Sequence, residues 1–263
     1  MKGMEYTDRS GDAATLERIY RNDEWALQQK MDGTRTLIHL ETLTITQRNG
    51  NPLKHTAATQ WIPHILHDLS DLELSGTANT ILDCELMIEN GQLWVFDVID
   101  PWRLHEPMID RARVLERLPV GNHLNVVSTA WTEQEKRSLV EKCADREGVV
   151  AKHIFAPYSP GKRVEHVLKF KNIHTGMLTV TRLSEQPLSA QLGILTDDGP
   201  HTVANASMIG KDPTIRPGDV VEVNYLNWTG TSLIQPRIVR KRADKNPEDC
   251  TIEQFSTYSR EAI

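Results

Sequence analysis

The chain has 263 residues, of which 39% are hydrophobic and 25% are charged, an ordinary composition for a globular protein. No apolar run approaches the roughly 18 residues of a membrane-spanning helix, and the polar first residues lack a secretory core, so we expect a cytoplasmic protein. The net charge of −6 argues mildly against a nucleic-acid partner, and three widely spaced cysteines indicate neither disulfides nor structural zinc.

The first predicted strand leads into the hexapeptide Lys30-Met-Asp-Gly-Thr-Arg35. Taken alone, it is consistent with a strand that ends in an Asp-Gly turn with solvated flanks. A lysine beside Asp-Gly-x-Arg is also the nucleophile signature of enzymes that carry a nucleotide on a lysine nitrogen. Alternating threonine and apolar residues then predict an antiparallel strand and a turn before Arg48-Asn-Gly50.

A hairpin is predicted next, from residues 81–88 and 92–98, with Asn90-Gly91 as a two-residue loop. Outward pairing from that loop places Glu85 opposite Phe96 on one face. A carboxylate beside an aromatic ring suits a nucleoside, since the ring can stack on a base while the carboxylate accepts a hydrogen bond from the ribose. On this hairpin alone, however, a core position for Phe96 is the better interpretation.

Residues 133–145 predict a helix, and residues 147–152 predict a returning strand. A further strand carries Lys169 and Lys171, which point to the same face because they are two residues apart. Like charges side by side repel, so we expect these ammonium groups to converge on an anion.

The pattern changes near Asn172, after which short strands without long helices predict a small β-barrel. Domain boundaries are therefore expected at 1–172, 173–246 and 247–263, the last being a C-terminal tail. Two local basic patches could bind nucleic acid despite the acidic net charge. They comprise Lys162, Arg163, Lys169 and Lys171, and Arg237, Arg240, Lys241, Arg242 and Lys245.

The ordered set of motifs resembles the ATP-dependent DNA ligases over roughly residues 25–248. It comprises the Lys30 hexapeptide, Arg48-Asn-Gly50, Asp83-Cys-Glu85, Phe96-Asp97, Glu147-Gly-Val-Val-Ala-Lys152, Lys169-Phe-Lys171 and Arg242-Ala-Asp-Lys245. The resemblance implies an α+β fold, in which a nucleotidyltransferase domain of antiparallel sheets with helices precedes an oligonucleotide-binding (OB-fold) barrel. It also implies a minimal two-domain form of the phage or viral type, acting as a monomer on ATP and nicked double-stranded DNA.

The resemblance further implies roles for individual residues. Lys30 would take AMP from ATP, Arg48 would hold the phosphate of the nick, and Phe96 and Glu85 would contact the nucleoside. The other nucleotide contacts would be Gln28, Asp32 and Arg35. The catalytic set would be completed by Lys169, Lys171, Arg242, Asp244 and Lys245. Of these, Arg242 and Lys245 would clamp the pyrophosphate when the barrel closes. Mg²⁺, or Mn²⁺, would contact Glu147 and Glu85.

The attacking lysine must be neutral, whereas an ordinary lysine has a pKa of about 10.4. Arg35, Lys169, Lys171 and the metal are the candidates to disfavour its charged form. One departure concerns Gln28, because many cellular ligases have a glutamate two residues before the lysine to read adenine.

Three alternatives remain open. An RNA ligase shares the chemistry, but the terminal barrel with Arg242-x-Asp-Lys245 favours a DNA ligase. A capping guanylyltransferase has both domains, but residues 147–152 look like a ligase sequence. A non-catalytic nucleic-acid-binding scaffold is disfavoured by the intact set of charged motif residues.

Overall fold

The computed structural model describes residues 1–53, 59–118, 120–185, 188–196 and 198–255, apart from residues 71–79 and the side chain of residue 70. The chain divides into two compact units. The first comprises the described residues of 1–144 and 148–170, and the second comprises those of 145–147 and 171–255.

The first unit contains two five-stranded sheets. One has the order β1 (Glu5–Asp8), β10 (Arg163–Lys171), β9 (Gly148–His153), β2 (Trp25–Gln29) and β8 (Thr129–Ala130). The other has the order β4 (Thr44–Gln47), β3 (Thr34–His39), β5 (Ile81–Met87), β6 (Gln92–Ile99) and β7 (Leu124–Val126). Most of the paired strands are antiparallel, while β1 with β10 and β6 with β7 are parallel.

The described helices of this unit are α1 (Ala13–Tyr20), α2 (Ile62–Ser70), α3 (Met108–Leu115) and α4 (Glu133–Lys142). Helix α4 begins with a capping box in which Thr132 and Glu135 exchange hydrogen bonds, which satisfies backbone donors of the first turn. The predicted helix from 133 and the predicted strand that follows it are thus found as α4 and β9.

Lys136 of α4 is fully buried. Its Nζ atom donates to the carbonyl oxygens of Ile19, at 3.2 Å, and Asn22, at 2.8 Å, at the end of α1. Ile19 O also accepts from Asn22 N and Asn22 O from Trp25 N, so the buried ammonium group adds to the turn hydrogen bonds that satisfy the carbonyls after α1.

The hairpin register differs from the prediction. Met87 lies opposite Gln92, and the loop therefore has four residues, 88–91. A two-residue type I′ turn needs positive φ at both central positions, but only Gly91 has one, of 72°. Trp61 is the reason for this loop: its indole nitrogen donates to Ile88 O at 2.8 Å, and its ring would clash with any Cβ at position 91.

As a consequence, Glu85 pairs with Trp94, and the predicted pairing of Glu85 with Phe96 is wrong. Phe96 lies at a bulge between the partners of Asp83 and Cys84. Between the loop and the bulge the register is displaced by two residues, an even number, so side chains there keep the predicted face. Beyond the bulge the displacement is one residue, because Asp83 lies opposite Asp97 instead of the predicted Val98.

The second unit is built on an antiparallel sheet with the order β13 (Gly199–Ser207), β12 (Ser189–Thr196), β11 (His174–Leu183), β14 (Val220–Tyr225) and β17 (Arg237–Lys241). A separate hairpin pairs β15 (Asn227–Trp228) with β16 (Leu233–Ile234). Alternating apolar residues of the sheet, such as Leu178, Val180, Val221 and Val223, form one buried core.

Part of the predicted C-terminal tail packs on this second unit. Residues 247–249 and 252–254 form short 3₁₀ helices, and Cys250 is buried. The Phe255 ring stacks on Trp228 with centroids 4.6 Å apart. Residues 256–263 lie outside the described part of the chain. Across the described residues, none of the helices has the length and apolar character needed to span a membrane.

Candidate active site

A cavity of about 300 Å³ opens in the first unit. Six of its fifteen lining residues are basic, and the lining also includes two aromatic rings and a few carboxylate and amide groups. Its lining comprises Glu5, Tyr6, Gln28, Gln29, Lys30, Met31, Gly33, Arg35, Arg48, Glu85, Phe96, Val150, Lys152, Arg163 and Lys169. Seven of the predicted site residues are therefore brought together here: Gln28, Lys30, Arg35, Arg48, Glu85, Phe96 and Lys169.

Lys30 follows the last residue of β2, and its backbone nitrogen donates to Gly148 O at 2.9 Å. The chain then passes close to β5 at Gly33, where an added Cβ would lie 2.5 Å from Leu86 O. Only glycine fits that approach. Gly33 N also donates to Glu85 Oε1 at 3.2 Å, which fixes the loop after Lys30 relative to the sheet. Asp32 lies in this loop but is not part of the cavity lining.

Arg35 is held by a buried carboxylate. Its Nε and Nη2 atoms lie 2.8 and 2.6 Å from the two oxygens of Asp83, which also accepts from the Tyr158 hydroxyl at 2.7 Å. Burial opposes the charge on Arg35, but the adjacent Asp83 outweighs it and raises the pKa of Arg35 well above its ordinary value. The guanidinium group is therefore a fixed positive charge.

A second buried network involves Lys152, which the sequence did not identify as a site residue. Its Nζ atom donates to Phe96 O at 2.6 Å and lies 3.5 Å from Asp97 Oδ2. Asp97 also forms a bidentate pair with Arg111, at 2.9 and 3.2 Å. Burial would raise the pKa of Asp97, but Arg111 and Lys152 together lower it to about 2. Burial lowers the pKa of Lys152, against the attraction of Asp97.

The Phe96 ring lies between these two networks. The Arg35 guanidinium carbon is 5.3 Å from the ring centroid, and Lys152 Nζ is 5.2 Å from it. Arg35 also lies 4.7 Å from the centroid of Tyr6. Cations at these distances are attracted to the ring faces, so the aromatic wall and the positive charges stabilise each other's positions.

Two further cavity cations, Lys169 and Arg163, are paired with carboxylates nearer the surface. Lys169 Nζ lies 3.3 Å from Asp8 Oδ2, and Arg163 Nη2 lies 3.2 Å from Glu5 Oε2. These ion pairs are partly exposed, so water or a phosphate can replace the carboxylate at small cost. The cavity can therefore attract a polyanion with its outer cations and orient it with its inner ones.

Gln28 is 1% exposed and lines the cavity. Its Nε2 atom donates to Thr129 Oγ1 at 3.0 Å, and its buried Oε1 atom has no hydrogen-bond partner among the described residues. No sequence signal pointed to Thr129, because it is 101 residues away along the chain.

Apart from Asp32, the other predicted site residues belong to the second unit. Lys171 Nζ pairs with Glu147 Oε1 at 3.0 Å, while Lys169 pairs with Asp8. Convergence of the two lysines on one anion stays a prediction. Arg242 binds both oxygens of Asp244, at 2.8 and 2.7 Å, and Glu222 at 3.0 Å. Lys245 lies on the surface of the same turn.

No group of three or more histidine, cysteine, aspartate or glutamate side chains is arranged to hold a metal in the described residues. Of the two predicted metal contacts, Glu85 lines the cavity and Glu147 is paired with Lys171. A single carboxylate is compatible with Mg²⁺, which keeps several waters and is commonly completed by phosphate oxygens of a nucleotide.

Comparison with known proteins gives consistent matches. The sequence model of the family described as RNA ligase matches residues 23–171. The multifunctional non-homologous end joining DNA repair protein LigD of Mycobacterium tuberculosis strain H37Rv is 23% identical over 286 residues. That alignment covers 88% of this chain and 38% of the relative, so the chain spans well under half of that protein.

Two solved structures show the same fold. Mycobacterial DNA ligase D in complex with ATP and MES has a TM-score of 0.54 at 21% identity, covering 95% of this chain and 97% of that one. A Lig E DNA ligase, described as binding DNA with a minimal scaffold, has a TM-score of 0.64 at 15% identity, covering 92% of this chain and all of its own. The predicted resemblance to ligases and the predicted fold class with a nucleotidyltransferase-type ligase fold are thus confirmed. The described residues of the second unit form a five-stranded sheet and a separate hairpin, so closure of an OB-fold barrel stays a prediction.

Proposed function

The chain belongs to the RNA ligase family. From that membership and from its likeness to LigD and to DNA ligase D, we propose that it is an ATP-dependent polynucleotide ligase that seals nicks in duplex DNA through a lysyl-AMP intermediate. The observation that carries this proposal is the cavity in which Lys30 is surrounded by cations and an aromatic wall. The nick would present a 5′-phosphate and a 3′-hydroxyl. Action in DNA repair is suggested by the LigD relative.

In the first step, the Lys30 amine attacks the α-phosphorus of ATP. A nitrogen–phosphorus bond forms, the bond to the β-phosphate oxygen breaks, pyrophosphate leaves with the bonding electron pair, and the amine loses a proton. Arg35 and Lys152 line the cavity as fixed cations, and Lys169 adds a third charge that can leave its surface partner. Such charges stabilise the negative charge on the transferring phosphoryl group.

The nucleoside would be held by other residues of the same lining, next to these cations. The Phe96 ring offers a stacking surface for the base, Glu85 can accept a hydrogen bond from the ribose, and Gln28 faces the base edge. Asp32, in the loop after Lys30, remains a proposed nucleotide contact that would require this loop to adjust.

Mg²⁺, or Mn²⁺, bound through Glu85 and the phosphates would neutralise charge on the nucleotide. Glu147 stays a proposed contact, which would require exchange of its pairing with Lys171.

In the second step, the 5′-phosphate of the nick attacks the lysyl-AMP phosphorus, and the Lys30 nitrogen leaves. In the third, the 3′-hydroxyl attacks the activated 5′-phosphate, AMP leaves, and a phosphodiester bond remains. We propose that Arg48, which lines the cavity beside Lys30, holds the nick phosphate. Lys171, Arg242, Asp244 and Lys245 of the second unit would complete the set, with Arg242 and Lys245 binding pyrophosphate in the first step.

An RNA substrate is the second candidate, since the matching family model is that of RNA ligases. The likeness to DNA ligases over at least 92% of the chain, including its second unit, favours DNA. A monomer that acts on nicked duplex DNA is therefore the preferred proposal.

The test begins with the purified chain, Mg²⁺ and α-labelled ATP, followed by a denaturing gel. We expect covalent label on the protein, release of pyrophosphate, and chase of the label into AMP when a nicked DNA duplex is added. Lys30→Ala should abolish labelling, whereas Lys142→Ala, at an exposed lysine of α4, should label normally. Faster sealing of a nicked RNA duplex than of DNA would reverse the substrate assignment, and absence of label would refute the proposal.

A further inference from the structure

We propose that Gln28 and Thr129 form a purine-reading pair that accepts both adenine and guanine, so that GTP as well as ATP serves as a nucleotidyl donor. This inference rests on the proposed function. It concerns the hydrogen-bonding edge of the base rather than the phosphates. It implies that the chain discriminates less between adenine and guanine nucleotides than a ligase with a carboxylate at this position.

The pairing of neighbouring strands places Gln28 next to Thr129. Gln28 of β2 lies directly opposite Thr129 of β8 on one side and Val150 of β9 on the other. Val150 and Lys152 line the same cavity as Gln28, as expected for alternate residues of β9 that share one face. The Gln28 amide is therefore fixed inside the cavity by two neighbouring strands rather than by a loop.

The unpaired oxygen indicates a missing ligand group. A buried amide oxygen without a donor is unfavourable, and the described residues provide none for Gln28 Oε1. The amide belongs to a side chain that is 99% buried in a cavity large enough for part of a nucleotide. A donor from a bound base, such as the exocyclic amino group of adenine, would satisfy it.

An amide differs from a carboxylate in that its two ends can exchange. With the oxygen towards the base, Gln28 accepts from the 6-amino group of adenine; with the nitrogen towards the base, it donates to the 6-oxo group of guanine. Thr129 is compatible with both orientations, because its hydroxyl can accept from Nε2 or donate to Oε1. A glutamate could only accept, and it would repel a 6-oxo group.

The decisive measurement is the rate of covalent labelling of the wild-type chain with α-labelled ATP, GTP and ITP at subsaturating concentrations. ITP has the 6-oxo group of GTP but lacks its 2-amino group. We expect the second-order rates for GTP and ITP to lie within about tenfold of the rate for ATP. A rate for both 6-oxo nucleotides more than about 100-fold below that for ATP would overturn the proposal.

Substitution identifies the residue responsible. Gln28→Glu should lower labelling by GTP and ITP about 10- to 100-fold relative to labelling by ATP, because a hydrogen bond is replaced by repulsion. Gln29→Glu is the matched control, since it adds the same charge to the same cavity lining. It should change labelling by all three nucleotides in similar proportion. An unchanged ATP-to-GTP ratio in Gln28→Glu would show that Gln28 only supports the sheet.

Thr129 has its own test. Thr129→Ser keeps the hydroxyl and should preserve the wild-type ratio, whereas Thr129→Val removes the partner of either amide orientation and should slow all three nucleotides. Loss of GTP labelling alone in Thr129→Ser would contradict the two-way hydrogen bond. Failure of the wild-type chain to label with any nucleotide would instead refute the proposed ligase activity, so the two failures are distinguishable.

Discussion

Two arginine ion pairs, one in each unit, differ in where their carboxylates lie. In the first unit, Arg35 is paired with Asp83, whose side chain is fully buried. In the second, Arg242 is paired with Asp244, whose side chain is 64% exposed. A buried carboxylate cannot leave its cation without leaving an uncompensated charge, whereas an exposed one can be replaced by water or phosphate. The buried pair therefore holds its cation in place, whereas the exposed pair leaves its cation able to bind another anion.

The same distinction applies within the cavity. Lys152 and Arg35 are held by buried carboxylates, while Lys169 and Arg163 are held by partly exposed ones. We therefore expect the inner cations to set the shape of the cavity and the outer ones to exchange partners when a nucleotide binds. The following predictions test that division.

Asp97→Asn is expected to have the largest effect on the free energy of unfolding. The substitution leaves Arg111 and Lys152 buried without their shared counter-ion, which should cost about 3–5 kcal/mol of the free energy of unfolding. Asp110→Asn is the matched control, because Asp110 pairs with Arg113 at the surface of α3 and should cost less than about 1 kcal/mol. Urea unfolding followed by circular dichroism measures both. Equal losses would remove the distinction between buried and exposed pairs.

Low pH should weaken the same ion pairs of Asp97 with Arg111 and Lys152. The pKa of Asp97 is about 2 in the folded chain, below its ordinary value of about 3.9. A carboxyl group with a lowered pKa stabilises the fold fully above its unfolded pKa, and that contribution is lost as pH falls through the folded pKa. About 2–3 kcal/mol should therefore disappear between roughly pH 5 and pH 1. Unfolding measured across this range in wild type should show the loss, and Asp97→Asn should lack this component.

In the second unit, replacement of both Arg242 and Lys245 by alanine should slow formation of lysyl-AMP by about 100-fold, if these cations act on pyrophosphate. Sealing of a nick that already carries AMP should survive, because pyrophosphate takes no part in it. Arg240→Ala is the control, since Arg240 also pairs with Glu222 but lies outside the predicted site. The measurement is the single-turnover rate of lysyl-AMP formation and that of sealing the pre-adenylylated nick. An equal decrease in both rates would show that these residues support the fold or contact DNA.

A small effect is expected from Glu222→Gln. Glu222 accepts from both Arg240 and Arg242, but Asp244 still holds Arg242 through two hydrogen bonds. We therefore expect Glu222→Gln to leave the midpoint of thermal unfolding nearly unchanged. A decrease in that midpoint as large as the one caused by Asp97→Asn would show that Glu222 is as important to the fold as Asp97.

The sequence predicted the residue types of the cavity better than their contacts. Lys30, Arg48 and Lys169 could be found because motif residues stand in a fixed order along the chain. The pairing of Glu85 could not, because the loop is determined by Trp61, which lies in a distant helical region. Lys152 was missed since a lysine at the end of an apolar strand gives no sign that it is buried beside Asp97.

The fold followed from simpler signals. Periodicity and the capping residues of α4 are local, so that helix and β9 could be located from their own residues. The pairing of Gln28 with Thr129 depends on which strand flanks β2, and nothing in residues 25–35 determines that neighbour.

Three lysines line the cavity, and the central claim is that only Lys30 carries the nucleotide. Lys152 is buried and bound to Phe96 O and Asp97, and Lys169 is paired with Asp8. The direct measurement is incubation of the chain with ATP and Mg²⁺, digestion at alkaline pH to preserve the phosphoramidate, and tandem mass spectrometry of the peptides. We predict one AMP per chain, on Lys30. AMP on Lys152 or Lys169, or no covalent AMP, would contradict the account.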